Sequence, residues 1–263
     1  MIKYIITIPL FFLLLSCEKS QIVDNGVAYQ EYVVVNCELN TSKLFTGVTF
    51  TRTLPVGIPY DIKAAELKDV KAYLRIDGAK IVPLHYVSDG GYKPLYNELI
   101  IEPGSTFELF AEWGETIIYS ATTTPNVPEI NSATYEAGGK NLKANIKAHA
   151  GEVYGAIWVI GSGIAKATSF PSLSIPEAGM LNINVVTPGI PEQYTGNDFF
   201  GMRNIQVFSY DKQYSAYFNS AKVNVPIGNA FMQNGGATAW NVFGNNVIGM
   251  FIGVGKGTIK KVN

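Results

Sequence analysis

The sequence predicts a mainly β protein: an N-terminal immunoglobulin-like or transthyretin-like antiparallel sandwich, followed by a second β-rich domain with one short helix. Three observations carry this expectation. Short runs rich in Val, Ile, Thr, Tyr and Phe recur along the chain, several with the period-two alternation of a half-buried strand. Turn residues such as Asp77-Gly78 and Pro103-Gly104 separate them at close, regular spacing. Only one stretch, about Asp211 to Ala221, has convincing helical periodicity.

The chain begins with a segment that decides location rather than fold. Met1-Ile2-Lys3 is a short basic start, Tyr4 to Leu15 is apolar, and Leu13-Leu14-Leu15-Ser16-Cys17 looks like a bacterial lipobox. Spanning a bilayer takes about 20 apolar residues, so this run is too short, and Glu18-Lys19 ends it at once. Residues 1–16 therefore read as a lipoprotein signal peptide and Cys17 as the lipid attachment site, because a thiol can be alkylated by a diacylglyceryl group before cleavage. At about 0.8 kcal/mol per buried methylene, two or three acyl chains hold a protein on a membrane with no spanning helix. Residues 17–26 are a polar tether, and Glu18 to Gly26 reaches about 30 Å when extended at roughly 3.3 Å per residue. The expected location is the cell envelope, on the outer membrane, with the facing side left open.

Residues 27–125 are expected to form the sandwich. Tyr29 to Asn36 reads as a strand, and Thr46 to Leu54 as another that Pro55 stops. Ala72 to Ile76, Asp77-Gly78 and Ala79 to Val87 read as a hairpin with a type I′ turn, and Pro83 places its second arm at an edge or bulge. After Pro103-Gly104, the run Ser105 to Glu112 puts Phe107, Leu109 and Ala111 on one face and Glu108 and Glu112 on the other. Trp113-Gly114-Glu115 then turns into a strand over Thr116 to Thr122.

Thr122 to Pro128 breaks the pattern and marks the boundary of the second β-rich domain, residues 126–263. Strands are expected over Leu142 to Ala148, Val153 to Ile160, Met180 to Val186 and Asn204 to Ser209, with a loop over Thr187 to Asp198. In the expected helix Tyr210, Tyr214, Tyr217 and Phe218 form a packing face, with Ser209 or Asp211 as cap. The stretch Gly235 to Gly257 reads as a turn and a strand returning to the sheet.

Composition excludes several functions. Loss of Lys3 with the signal leaves 19 basic residues against 21 acidic ones, without the basic clusters that neutralise nucleic-acid phosphates. With Cys17 lipidated, only Cys37 remains, so no internal disulfide is expected, and Cys37 reads as a buried hydrophobe. His85 and His149 lack the neighbours of a zinc site, and no closely spaced acidic run suits calcium. Gly161-Ser162-Gly163 lacks the spacing of a nucleophile elbow. Gly253-Val254-Gly255-Lys256-Gly257 has no room for the helix a phosphate loop needs. Glu108, Glu112 and Glu115 could supply paired carboxylates, but read better as solvated charge on one hairpin. No catalytic residue, metal or cofactor is assigned.

Several segments together resemble a known family. Val33-Val34-Val35-Asn36, Glu102 to Leu109, Ala121-Thr122-Thr123-Thr124-Pro125, and the closing Asn241-Val242-Phe243-Gly244 with Gly249-Met250-Phe251 look like the DUF4249 family of Bacteroidetes outer-membrane lipoproteins. Asn245 stands where that pattern has a second glycine. The resemblance implies an outer-membrane lipoprotein working with TonB-dependent receptor barrels, and it transfers no catalytic residues. The expected function is a non-catalytic binding or accessory module for a small molecule, glycan or transporter. The alternatives are a structural or adhesive surface protein and a hydrolase with a dispersed active site.

Overall fold

The computed structural model describes residues 29–96, 98–138, 140–162, 165–168, 172–177, 179–195, 201–215 and 240–262. Cys17, the signal peptide and the tether lie outside the described residues. The chain is mainly β. Its first half contains β1 (Val33–Asn40), β2 (Val48–Arg52), a one-turn helix α1 (Ile62–Ala65), β3 (Lys71–Ile76), β4 (Lys80–Ser88), β5 (Gly91–Lys93), β6 (Thr106–Trp113) and β7 (Thr116–Thr123). The second contains β8 (Ile130–Glu136), β9 (Asn141–Lys147), β10 (Glu152–Ser162), β11 (Ala165–Thr168), β12 (Ser172–Ser174), β13 (Asn182–Val186) and β14 (Met202–Asp211). The chain then closes with β15 (Val242–Phe243), β16 (Val247–Lys256) and β17 (Lys260–Val262).

One long, curled sheet runs β11-β10-β14-β16-β1-β2-β5-β4-β3-β6-β7-β15, and β13-β9-β8 forms a second, small sheet. The turn chemistry behaves as its residues dictate. Asp77 (φ 51) and Gly78 (φ 70) both take the left-handed conformation that a type I′ turn requires, joining β3 to β4. Pro83 sits opposite Tyr73 in β3, while β5 pairs only with the later part of β4, from His85 to Ser88, across a bulge. The missing N–H of Pro83 is thus tolerated at an edge.

One pairing departs from the expected antiparallel arrangement: β1 and β16 are parallel, in register from Val33↔Val247 to Asn40↔Val254. A parallel pair needs a long crossover, and here almost the entire chain lies between the partners. The end of β16 also pairs antiparallel with β14, through Tyr210↔Val254 and Phe208↔Lys256. Its alternation serves two cores. Val247 and Phe251 join the first-half cluster of Val35, Phe50, Leu74, Leu109 and Ile118. Met250, Ile252 and Val254 pack with Val153, Tyr210 and Tyr214 instead. Burial on both faces explains why this strand reads as a continuous apolar run.

Two glycines of that strand and Gly257 just after it seat the segment between the halves. A Cβ on Gly253 would lie 2.8 Å from the Thr123 carbonyl oxygen, one on Gly255 2.5 Å from that of Asn126, and one on Gly257 2.9 Å from that of Pro128. Residues 123–128 therefore rest on bare backbone, which only glycine at alternate positions permits. Two buried carboxylates, opposite each other on β10 and β14, clamp the same segment. Glu152 Oε1 accepts from the Asn126 backbone N–H (2.7 Å) and from its Nδ2 (2.8 Å). Asp211 Oδ2 accepts from Thr122 Oγ1 (2.8 Å) and the Thr123 N–H (2.7 Å). Ser209 Oγ donates to the Asn126 carbonyl.

The expected helix starts later than its aromatic spacing indicates. β14 runs through Asp211, residues 212–213 turn, and 214–215 are helical, with the remainder of 211–221 outside the described residues. Asp211 Oδ1 accepts from the Gln213 N–H at 3.1 Å, a helix-capping contact. Tyr210 and Tyr214 stack at 4.7 Å in the third cluster, but Tyr210 belongs to β14, so the contact joins a strand to the helix start and is not the helical i, i+4 stripe expected. The loop expected from Thr187 holds a short 3-10 turn at Glu192–Tyr194.

Candidate functional site: an outward aromatic row

Strand register builds an outward row across five strands of the large sheet, aromatic on four of them. Pro83 (β4) faces Tyr73 (β3), Tyr73 faces Phe110 (β6), Phe110 faces Tyr119 (β7), and Tyr119 faces Phe243 (β15). Directly paired residues point to the same side of a sheet, and strands lie about 4.8 Å apart, so the row is roughly 20 Å long. It faces away from the core because the alternate residues, Leu74, Leu109, Ile118 and Val242 among them, are buried.

The rings contact one another. Tyr73 and Phe110 are stacked, with centroids 5.1 Å apart and planes 12° from parallel. Phe110 and Tyr119 are also 5.1 Å apart, tilted by 55°. Such pairs contribute about 0.5–1.5 kcal/mol beyond area burial, so part of the row's role is to stiffen the sheet. Stiffening does not account for its ends: Phe243 is 60% exposed, and Ile81 and Ile117 add apolar surface on the same strands. A contiguous exposed apolar patch marks a contact surface more often than an incidental one.

Two charge pairs lie beside the rings, Lys71–Glu112 at 3.8 Å and a tighter Arg75–Glu108 pair. Arg75 Nε and Nη2 donate to Glu108 Oε2 and Oε1, both at 2.6 Å, and Tyr119 Oη lies 3.4 Å from Glu108 Oε1. The Arg75 guanidinium also sits 4.9 Å from the Phe110 ring centroid. Its hydrogen bonds hold the Glu108 carboxyl below the usual carboxylate range. Glu108 is therefore an ionised, committed acceptor, unsuited to act as a general acid. Chemically the face offers ring surface, phenolic hydroxyls and internally neutralised ion pairs, which suits binding.

The other residues singled out in the sequence are dispersed. Cys17 lies outside the described residues. Cys37 is buried in β1, and burial, with Glu38 beside it, pushes its thiol well up, away from reactivity. His85 is exposed on β4. His149 lies in the β9–β10 turn and lines a pocket of about 510 Å³ with Glu152, Ile175, Met180, Leu181 and Lys212. Glu152 there is taken up by Asn126 and by Tyr154 Oη, which donates to its Oε2 at 2.8 Å. Glu112 lies 3.8 Å from Lys71, and Glu115 is in the β6–β7 turn. Among the described residues no group of three His, Cys, Asp or Glu could hold a metal ion, and no helix is long and apolar enough to cross a membrane. Gly253 to Lys256 belong to β16 and Gly257 follows it, with no phosphate cradle.

No family model matches the chain, and no curated protein matches it.

Sequence reasoning placed Glu108 and Glu112 on the outward face and passed over Phe110 between them. An aromatic residue at an outward position was the available signal. Sequence reasoning also missed Glu66. Its buried carboxylate accepts from Tyr86 Oη (2.5 Å) and the Gly90 N–H (3.3 Å), and Lys68 Nζ lies 3.0 Å away. These partners, the Tyr86 hydrogen bond first, pull its pKa down to about 2. Nothing local in the sequence distinguishes it from neighbouring surface acids.

Proposed function

We propose that this chain is a lipid-anchored, non-catalytic binding or accessory module of the outer membrane that presents the outward aromatic row to a partner in a TonB-dependent nutrient uptake system. The row supports the binding part of this reading: four aromatic residues aligned over about 14 Å of sheet, with exposed ends and ion pairs beside them. The lipobox at Cys17 and the resemblance to the DUF4249 lipoproteins support the anchor and the receptor. Affinity purification of the full-length lipoprotein from detergent-solubilised outer membrane tests it, with Cys17→Ala as the unanchored control. A receptor barrel, identified by mass spectrometry with the anchored form alone, is the expected result. Recovery of the lipoprotein alone, or as a ladder of its own copies, contradicts it.

A further inference from the structure

The end of the molecule that holds the first described residues carries a second apolar feature. Between β2 and α1, residues Thr53 to Tyr60 include no charged side chain. The Ile58 N–H donates to the Pro55 carbonyl at 3.2 Å, and Gly57 takes φ 91, the left-handed position of a type II turn. This turn thrusts Val56 outward at 91% exposure, with Ile58 and Tyr60 (70%) exposed behind it.

The first described residues are tied to the same loop. Tyr29 Oη donates to the Thr53 carbonyl at 2.5 Å, the Tyr32 N–H to Thr53 Oγ1 at 3.0 Å, and the Thr53 N–H to the Tyr32 carbonyl at 2.9 Å. Eleven residues lie between Cys17 and Tyr29, which are twelve steps along the chain apart. Extended at about 3.3 Å each they reach roughly 40 Å at most, so a bilayer holding Cys17 is always near this loop. At such range even a weak surface interaction is populated, because a tether converts it into an intramolecular event.

We propose that the 53–60 loop is an interfacial membrane anchor: Val56 and Ile58 enter the boundary between headgroups and acyl chains, and Tyr60, Tyr29 and Tyr32 sit at headgroup level. The inference rests on the lipid-anchor reading of Cys17 for its proximity to lipid. A convex apolar tip suits a bilayer surface, which needs no matching groove, and tyrosine carries an apolar ring with a polar tip suited to that depth. Most nearby charges are engaged locally: Arg52 lies 3.6 Å from Glu31, Lys63 2.6 Å from Asp89, and Asp61 accepts from the Lys63 N–H at 3.0 Å. The contact is therefore apolar and needs no anionic lipid.

Exposure alone does not single out this loop, since Leu95 is 71% exposed. Leu95, however, follows β5, which runs antiparallel to β2 with Val48 opposite Tyr92, so it lies at the other end of the same strands. It is the internal control. Cys37 is buried, so a cysteine introduced at Val56 or Leu95 is the thiol open to an environment-sensitive fluorophore. The Val56→Cys and Leu95→Cys lipoproteins are labelled and reconstituted into phosphatidylcholine vesicles with and without brominated acyl chains. The expected result is a blue shift and a loss of fluorescence on bromination for the Val56 label, with neither for the Leu95 label. Equal behaviour of the two labels overturns the proposal, as does a Val56 label already shielded before lipid is added, which would mean that another part of the chain or a second copy covers the loop. The mass of the N-terminal peptide from the same sample tests the anchor separately. Acyl chains on Cys17 with an unquenched Val56 label defeat the loop and leave the anchor standing. A Cys17 without acyl chains defeats the anchor and leaves a second thiol open to the label, so the same vesicle quenching on a Cys17→Ala background then decides the loop.

Discussion

The outward face of β3-β6-β7-β15 and that of the small sheet β13-β9-β8 arise from the same strand alternation, yet offer opposite surfaces. The first carries Tyr73, Phe110, Tyr119 and Phe243. The second carries an amide ladder: Asn131 Nδ2 donates to Asn145 Oδ1 and Asn145 Nδ2 to Asn184 Oδ1, both at 3.1 Å. Ile183, Val185, Leu142 and Ile146 alternate with these amides and fill the second core. Water satisfies the amides as well as their neighbours do, so covering that face gains little and costs desolvation. Water cannot satisfy the rings, and covering them releases it favourably. The difference teaches which of two similarly built faces has a reason to bind.

The largest expected effect separates the inside of the aromatic sheet from its outside. Leu109→Ala, in the first core, should lower unfolding free energy by about 2–5 kcal/mol. Phe110→Ala on the next residue, which breaks two ring contacts, should cost roughly 1–3 kcal/mol. Urea denaturation of the two variants checks this, and equal losses would mean that Phe110 belongs to a core rather than to a surface.

The amide face should be less sensitive still. Asn145→Ala removes two exposed hydrogen bonds and should cost about 0.5–1 kcal/mol in the same assay. A loss matching that of Phe110→Ala would erase the energetic distinction between the faces.

Acid should then discriminate between them. Glu108 has its folded pKa depressed by Arg75, so the stabilisation it provides is present above its ordinary value of 4.5 and is lost as pH falls through the lower folded value. Part of the acid dependence of stability below pH 4.5 should vanish in Glu108→Gln and persist in Asn145→Ala. Because the pair is partly open to solvent, its contribution at neutral pH should be only about 0.2–1 kcal/mol. The buried Glu66 follows the same sign: its contribution is present above about pH 4.5 and is lost as pH falls toward about 2, so Glu66→Gln should flatten that window. Thermal melts between pH 2 and 6 read both effects, and unchanged profiles would contradict the assigned ion pairs.

Much of the fold was legible because it is local. Asp77-Gly78 fixed a hairpin, alternation in Phe107-Glu108-Leu109 fixed which residues face inward, and Asn182 and Asn184 alternate with buried Ile183 and Val185. The parallel pairing of β1 with β16 was not legible, since register between strands so distant in sequence leaves no local trace. The packing of residues 123–128 on Gly253, Gly255 and Gly257 was not legible either, since it too joins segments far apart in sequence. The aromatic row was half legible. Tyr73, Phe110 and Tyr119 each occupy outward positions of expected strands, yet their alignment with one another and with Phe243 depends on pairings that only the folded sheet supplies.

The most direct test of the binding face is a paired capture experiment from solubilised outer membrane. The native protein is compared with Tyr73→Ser/Phe243→Ser and with Asn145→Ala/Asn184→Ala, each checked for native circular dichroism. Recovery of a receptor barrel by the native and amide-face proteins, with loss by the aromatic-face variant, is the predicted result. Undiminished recovery by the aromatic-face variant, or loss confined to the amide-face variant, would contradict the assignment of the aromatic row as the binding surface.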